Sequence, residues 1–138
     1  IIYTNNSKIY SCHKFWYKYI NFKYPIDFSS FSDIAFDNDK VYLLNREGVV
    51  LFDLKERKWS NVLNAALIDG KNANALAVKN NIFFISTFDG VYKYDKISNL
   101  SEFYSYDFIK NINDVYIHNE FAFFGTRNGL ISFRYKNR

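Results

Sequence analysis

The sequence has few of the residues from which metal sites and covalent cross-links are built. A single cysteine, Cys12, among 138 residues excludes an internal disulfide and a cysteine-based metal cage. No apolar run approaches the length of about 18 residues that a membrane-spanning helix needs, and the first residues lack the pattern of a signal peptide. Methionine is absent, including at position 1, so we expect the chain to be a piece of a longer protein.

Proline occurs once, whereas aromatic residues make up 21% of the chain, with 15 Phe and 12 Tyr. Residues of this kind favour pleated, half-buried surfaces, so the composition predicts a chain made mostly of strands. The net charge of +4 comes from basic residues scattered along the sequence without a run of four. This scatter is typical of solvated strand faces, and we expect no nucleic-acid partner.

A pattern recurs three times, centred on Gly48, Gly90 and Gly129. An apolar run ending in Asn or Thr precedes each glycine by two residues, and an asparagine lies ten residues before it. An aliphatic residue lies fourteen residues before each glycine, and an aromatic residue four after it. The glycines are 42 and then 39 residues apart. A period near 40 built from strand-like pieces is typical of β-propeller blades.

Each unit can be divided into four antiparallel strands, with the glycine closing the hairpin between the second and third. The sequence therefore predicts an all-β fold, a partial β-propeller of three to four blades in one domain. We place a degenerate blade at residues 1–31 and further blades at about 32–73, 74–112 and 113–138, the last incomplete. Residues 58–62 are expected to form an outer strand, although apolar residues from Trp59 to Leu67 also follow helical spacing.

The second and third units contain sequence segments that resemble a known family of repeats. Over about residues 32–138 the chain resembles the repeats of two-component regulator propellers. The resemblance is strongest in Asn113-Asp114-Val115 followed by Phe124 to Leu130, and in Ser86 to Asp95. The first unit departs at Asn45, where the family has Thr, and its tail is equally similar to kelch or quinoprotein-type blades. The resemblance implies an extracytoplasmic sensor that recognises a glycan or other small ligand without catalysis. The alternative is a structural scaffold that docks a protein partner, and an enzyme ranks third.

Loops and hairpin tips usually carry recognition in propellers, so the tips are the candidate ligand-binding residues. One pair of residues per blade occupies these tips: Arg46-Glu47, Phe88-Asp89 and Arg127-Asn128. Their differing charged and aromatic character suits a recognition surface, while polar residues at hairpin tips also need no function. Completion of the propeller is expected to need the remaining blades of a longer chain or self-association.

Other residues with chemical potential have simpler explanations. Cys12 and His13 lack further ligands for a metal or a base for a nucleophile, and His118 falls in a turn. The run Asp37-Asn38-Asp39 lacks the later ligands of a calcium loop and is interpreted as a capped turn. Basic and aromatic residues alternate over residues 14–24, as in single-strand binders and also in exposed edge strands. No catalytic residue, metal or cofactor is therefore predicted.

Two aspartates, Asp53 and Asp95, end the third strand of their units at the same repeat position. Carboxylates in acid–base catalysis must converge on one substrate, whereas these recur once in each blade. We interpret them as caps of the following turn.

Overall fold

A computed structural model describes residues 2–5, 8–13, 16–20, 31–46, 48–64 and 72–136, the first three ranges as backbone strands only. The prediction of an all-β fold is confirmed: these residues form strands joined by short turns, with one 3₁₀ turn at Asp107–Ile109. The strands are β1 Ile2–Asn5, β2 Lys8–His13, β3 Trp16–Ile20, β4 Asp33–Asp37, β5 Lys40–Asn45, β6 Gly48–Asp53, β7 Lys58–Asn64, β8 Ala73–Lys79, β9 Ile82–Thr87, β10 Val91–Asp95, β11 Leu100–Tyr104, β12 Ile112–His118, β13 Phe121–Thr126 and β14 Gly129–Arg134.

The strands form four antiparallel sheets, each with its strands in sequence order. We call β1–β3 blade 1, β4–β7 blade 2, β8–β11 blade 3 and β12–β14 blade 4. Blades 2 and 3 have four strands, and blade 4 has three within the described residues. Every pairing is between neighbours in the chain, which is the meander of a propeller blade.

The repeated glycines and asparagines occupy turns that ordinary side chains disfavour. Gly48 and Gly129 have φ angles of +130° and +128° where they close the hairpins β5–β6 and β13–β14. Asn38 and Asn119 take φ near +55° in the preceding turns, a left-handed conformation that asparagine tolerates better than most residues. The sequence repeat is therefore a repeat of backbone geometry.

Among the described residues, two of the three buried clusters lie between blades, and the buried members of the third, Val41, Leu43, Val50 and Phe52, all belong to blade 2. One buried cluster joins blade 2 to blade 3 and includes Tyr42, Val49 and Phe83. A second joins blade 3 to blade 4 and includes Phe84 and Phe124. Because blades 2, 3 and 4 bury sheet faces against one another, removal of that apolar area from water stabilises the stack.

Hydrogen bonds between the innermost strands align neighbouring blades. Asp33 on β4 accepts the main-chain N–H of Leu76 on β8 at 2.7 Å, and Asp37 accepts that of Asn80 at 2.8 Å. Asn74, at a bulge in β8, donates from Nδ2 to the Ile112 carbonyl at the start of β12 at 2.7 Å. The blades are thus stacked in register, which places the three glycine hairpins on one side, here called the hairpin face.

The structure also decides between the two interpretations of the segment after blade 2's third strand. β7 runs from Lys58 to Asn64, so the predicted outer strand is confirmed and the helical alternative is wrong over this range. Residues 65–71, which the helical pattern also included, lie outside the described residues. Within the described part of the chain, no helix is long and apolar enough to cross a membrane.

Candidate functional site

The hairpin tips lie on one face, one tip to each of blades 2, 3 and 4. The predicted tip residues that the structure describes are all exposed: Arg46, Phe88, Asp89, Arg127 and Asn128. Glu47 lies outside the described residues. The three tips come from three separate blades.

The tip of blade 3 is held in a fixed conformation by its own backbone. The N–H of Thr87 donates to the Gly90 carbonyl at 2.8 Å, and the Thr87 hydroxyl donates to the same oxygen at 3.2 Å. A Cβ atom at Gly90 would overlap the carbonyl oxygen of Tyr104 on the neighbouring strand β11. Glycine is needed here because the two strands approach closely. At Gly129 the positive φ alone requires glycine, and at Gly48 the positive φ and a close approach to Leu63 both require it.

The loop that leads from blade 3 to blade 4, residues 105–111, packs against this tip. The N–H of Asn111 donates to the Phe88 carbonyl at 3.2 Å, and the Ser105 hydroxyl donates to the Asp89 carbonyl at 3.0 Å. The 3₁₀ turn Asp107–Ile109 lies within the loop and is anchored by the buried side chain of Ile109. Hairpin and loop therefore form one rim.

This rim exposes three aromatic side chains. Phe88 at the tip is 66% exposed, and Tyr106 and Phe108 in the loop are 53% and 59% exposed. The rings of Tyr106 and Phe108 are stacked, with centroids 5.3 Å apart and an angle of 4° between their planes. We call Phe88, Tyr106 and Phe108 the aromatic platform. A soluble protein seldom leaves such groups together without a partner for them.

Charged groups flank the aromatic platform. Lys110 contacts Asp107 with Nζ 2.9 Å from Oδ1, on the same loop as Tyr106 and Phe108. This hydrogen bond raises the pKa of Lys110 and lowers that of Asp107, and Asp89 at the tip adds to the effect on Lys110. The site thus combines flat apolar rings with carboxylates that accept, and an ammonium that donates, hydrogen bonds.

The remaining sequence candidates have structural roles or stay on the surface. Asp53 Oδ1 accepts the N–H groups of Lys55 and Glu56, each at 2.9 Å, and Asp95 makes the equivalent bonds in blade 3. The interpretation of these carboxylates as turn caps is therefore confirmed, and the backbone bonds lower the pKa of both. His118 is exposed, as predicted, but it is the last residue of β12 and not part of the turn that follows.

Two grooves lie away from the aromatic platform. One, of about 370 Å³, follows the innermost strands β4, β8 and β12 and includes Asp33, Asp114 and Tyr116. Burial raises the pKa of Asp33, although the N–H groups of Leu76 and Ile34 oppose the shift. The other groove, of about 310 Å³, is polar, lies opposite the hairpin face, and includes Asp37 and Asp53. Among the described residues, no cluster of three His, Cys, Asp or Glu side chains could hold a metal ion.

Sequence reasoning found Phe88 and Asp89 but missed Tyr106 and Phe108. The loop between blades 3 and 4 contains none of the glycines or asparagines that define the repeat, so the repeat pattern does not single it out. An available signal was the close spacing of Tyr106, Phe108 and the apolar Ile109 near the end of the second unit, since compact loops packed by their own side chains are frequently functional.

The shape of the chain is similar to parts of larger solved structures. The N-terminal domain of Nup159 matches 99% of this chain and 38% of its own at 16% identity, with a TM-score of 0.62. The extracellular domain of the hybrid two-component system protein BT4673 of B. thetaiotaomicron matches 93% of this chain and 18% of its own at 14% identity, with a TM-score of 0.66. Saccharomyces cerevisiae Sqt1 matches 97% of this chain over 41% of its own length at 13% identity, with a TM-score of 0.60.

These likenesses establish the fold and not the role, because identities are low and one fold hosts many functions. No family model matches the chain, and no curated protein matches it. The chain spans between 18% and 41% of the three structures. It is a set of antiparallel propeller blades, similar to part of the N-terminal domain of Nup159 and to part of the extracellular domain of BT4673.

Proposed function

We propose that this chain is a non-catalytic recognition module that binds its ligand on the hairpin face, at the aromatic platform of blade 3. The observation that carries the proposal is the joint exposure of Phe88, Tyr106 and Phe108 on a rim held together by hydrogen bonds. Rings on a rigid backbone lose little conformational entropy on binding, so they act as efficient anchors.

A glycan fits the chemistry of this surface. The C–H faces of a sugar ring can lie flat on exposed aromatic rings, which offer their negative π faces. Hydroxyl groups at the edge of a sugar are donors and acceptors, and Asp107, Asp89 and Lys110 stand beside the rings to meet them. The similarity to the BT4673 extracellular domain supports an extracytoplasmic sensor as the setting.

A non-enzymatic role is part of the same proposal. Carboxylates such as Asp53 and Asp95 accept backbone hydrogen bonds within their own turns, where they stabilise the blade. One such carboxylate in each of these two blades supports a structural role, because the two carboxylates of a catalytic pair must lie close to the same bond of the substrate. We therefore expect binding without turnover.

The test is glycan binding by the protein and by matched variants. A glycan array followed by isothermal titration calorimetry should identify a ligand whose affinity falls about tenfold or more in Phe108→Ala. This loss is expected for an aromatic side chain that the bound ligand covers. Phe88→Ala should have a similar effect. The control is Ile97→Ala, because Ile97 is 80% exposed but lies in the turn after β10, away from the hairpin face.

Retained glycan affinity in both Phe variants would contradict the assignment of the site. Absence of binding across the array would contradict the glycan class while leaving the surface to be probed with other ligands.

The second candidate function is a scaffold that docks a protein on the same face. Exposed aromatic side chains also anchor protein interfaces, and Nup159, similar to this chain in fold, has been solved with S. cerevisiae Dbp5 bound to it. A photo-reactive amino acid at position 108 distinguishes the two. Cross-links to one protein that Ile97→Ala retains and Phe88→Ala loses would favour the scaffold.

A further inference from the structure

The polar groove opposite the hairpin face lies where blade 2 meets blade 3 and has a volume of about 310 Å³. Asparagines from both blades contribute amide groups to its walls. The charged groups of the lining are three carboxylates and two ammonium groups, which leaves one net negative charge: Asp37, Asp39, Asp53, Lys40 and Lys55. A concave polar site of this size is large enough for a small molecule.

One buried hydroxyl opens into this groove. Tyr42 on β5 is only 1% exposed and lines the groove, and its ring packs edge-on against Phe83 of blade 3 with centroids 5.1 Å apart. Within the described part of the chain, the Tyr42 hydroxyl makes no hydrogen bond. A hydroxyl that is removed from bulk water and left unpaired costs free energy, so such a group calls for a partner.

The surroundings of the hydroxyl define what that partner must be. Burial raises the pKa of Tyr42, and the negative charges of Asp37 and Asp53 raise it further. Asp37 is itself buried, and it accepts the N–H of Asn80 through Oδ2 at 2.8 Å. A group that suits both the hydroxyl oxygen and the nearby carboxylates is a cation that donates hydrogen bonds. A primary ammonium group meets both conditions.

The lysines around the groove do not supply this ammonium group. Lys55 Nζ contacts Asp39 Oδ2 at 2.8 Å, with 76% of the Lys55 side chain exposed. Lys40 is paired with Asp37 and Asp53 in the strand register, yet among the described residues its ammonium group forms an ion pair with neither. The position beside the Tyr42 hydroxyl is therefore open to a ligand.

The repeat shows that the fold does not require these polar groups. At the junction of blades 3 and 4, Phe84 occupies the repeat position of Tyr42, six residues before the hairpin glycine, and is fully buried without a hydroxyl. Lys79 stands there at the position of Asp37, eleven residues before the glycine. Equivalent packing is thus built without the hydroxyl and without the buried carboxylate, which favours a binding role for both.

We propose that the polar groove binds a small molecule through a primary ammonium group, which donates a hydrogen bond to the Tyr42 hydroxyl oxygen beside Asp37 and Asp53. This site lies on the opposite side of the blades from the aromatic platform and does not depend on the glycan proposal. The ligand is a free amine or an amino acid, because Lys40 and Lys55 offer partners to a ligand carboxylate.

The experiment is titration of the protein with 2-aminoethanol and with its neutral counterpart ethane-1,2-diol, followed by saturation-transfer NMR. The amine should bind at least about tenfold more tightly than the diol, because only the amine carries the charge. Tyr42→Phe removes the hydroxyl and keeps the ring, so it should weaken amine binding about tenfold. It should not lower the melting temperature of the free protein, since Phe84 fills the same repeat position.

The matched control is Tyr94→Phe. Tyr94 is also buried, but its hydroxyl donates to Asn99 at 3.0 Å, outside the groove, so amine binding should be unchanged. A second variant, Asp37→Asn, keeps an oxygen that can accept the N–H of Asn80 and removes the negative charge. This variant should also bind 2-aminoethanol more weakly.

L-serine adds a carboxylate to the same amine and separates the two ligand sources. Binding tighter than that of 2-aminoethanol would assign the groove to amino acids, and weaker binding would assign it to free amines. Equal affinities for amine and diol would overturn the proposal, and so would unchanged amine affinity in Tyr42→Phe. Absence of binding by both amines at about 10 mM would overturn it as well.

Discussion

Truncation of Phe84 tests whether the interface between blades 3 and 4 stabilises the fold. The Phe84 side chain is fully buried and lies edge-on to Phe124, with ring centroids 5.8 Å apart, and to Tyr135 at 5.3 Å. Phe133 is a third neighbour at 6.3 Å. Phe84→Ala removes the buried ring and leaves a cavity, and such changes cost about 3–5 kcal/mol. Loss of the edge-to-face contacts favours the upper half of that range.

A loss of about 4 kcal/mol is large for a domain whose total stability is about 5–15 kcal/mol. For a chain of this length it corresponds to a fall in melting temperature of roughly 15 °C. Urea unfolding followed by circular dichroism gives the free energy directly, provided that the slope with denaturant is the same in both proteins.

The matched control is Phe123→Ala, the same substitution at the same repeat position of blade 4. Because Phe123 is only half-buried in blade 4, we expect a cost of about 1 kcal/mol in the 138-residue chain. Equal costs for the two variants, or a cost below about 1 kcal/mol for Phe84→Ala, would refute the conclusion that packing between blades dominates stability.

Three further predictions concern single contacts. Asp33→Ala should destabilise the protein by about 1–3 kcal/mol in urea unfolding, because a partly buried amide of the next blade loses its acceptor. Gly90→Ala should cost about 1–3 kcal/mol through overlap with Tyr104, whereas Gly125→Ala, whose Cβ would lie 3.9 Å from its neighbours, should stay near neutral. Burial, with the carboxylate of Glu102, raises the pKa of Tyr104 from 10.0 to about 12. Since this raised pKa belongs to the folded state, stability should fall as pH rises from 10 towards 12, and Glu102→Gln should lower the pKa measured by ¹³C NMR.

The sequence predicted those features that depend on local backbone geometry. The glycines marked the hairpins because Gly48 and Gly129 take positive φ, and the asparagines marked the turns because Asn38 and Asn119 are left-handed. These constraints act within a few residues and recur with each blade. The helical alternative near Trp59 was wrong, because a strand bulge at Val62 disturbs the alternation of apolar residues.

Features that depend on packing between blades could not be predicted in the same way. The bond from Asp33 to Leu76 joins residues 43 apart, and nothing in either local sequence indicates which amide faces the carboxylate. The aromatic platform has the same origin, since Tyr106 and Phe108 reach the tip of blade 3 only when the loop folds back over Phe88. Of the predicted tip residues, Phe88 belongs to this platform and Asp89 lies next to it, and the ligand-binding role of all the tips stays a prediction.

The constant spacing of the contacts between blades has a consequence for how such proteins can change in evolution. The hydrogen bonds that join blades 2, 3 and 4 through their innermost strands span 38 or 43 residues, about one repeat, so within the described residues these bonds connect blades that are adjacent in the sequence. Duplication or deletion of a whole repeat would therefore recreate interfaces of a kind that already exists. A gene of this design can alter the number of its blades in one recombination event, and ligand-binding tips can diverge afterwards without disturbing the junctions.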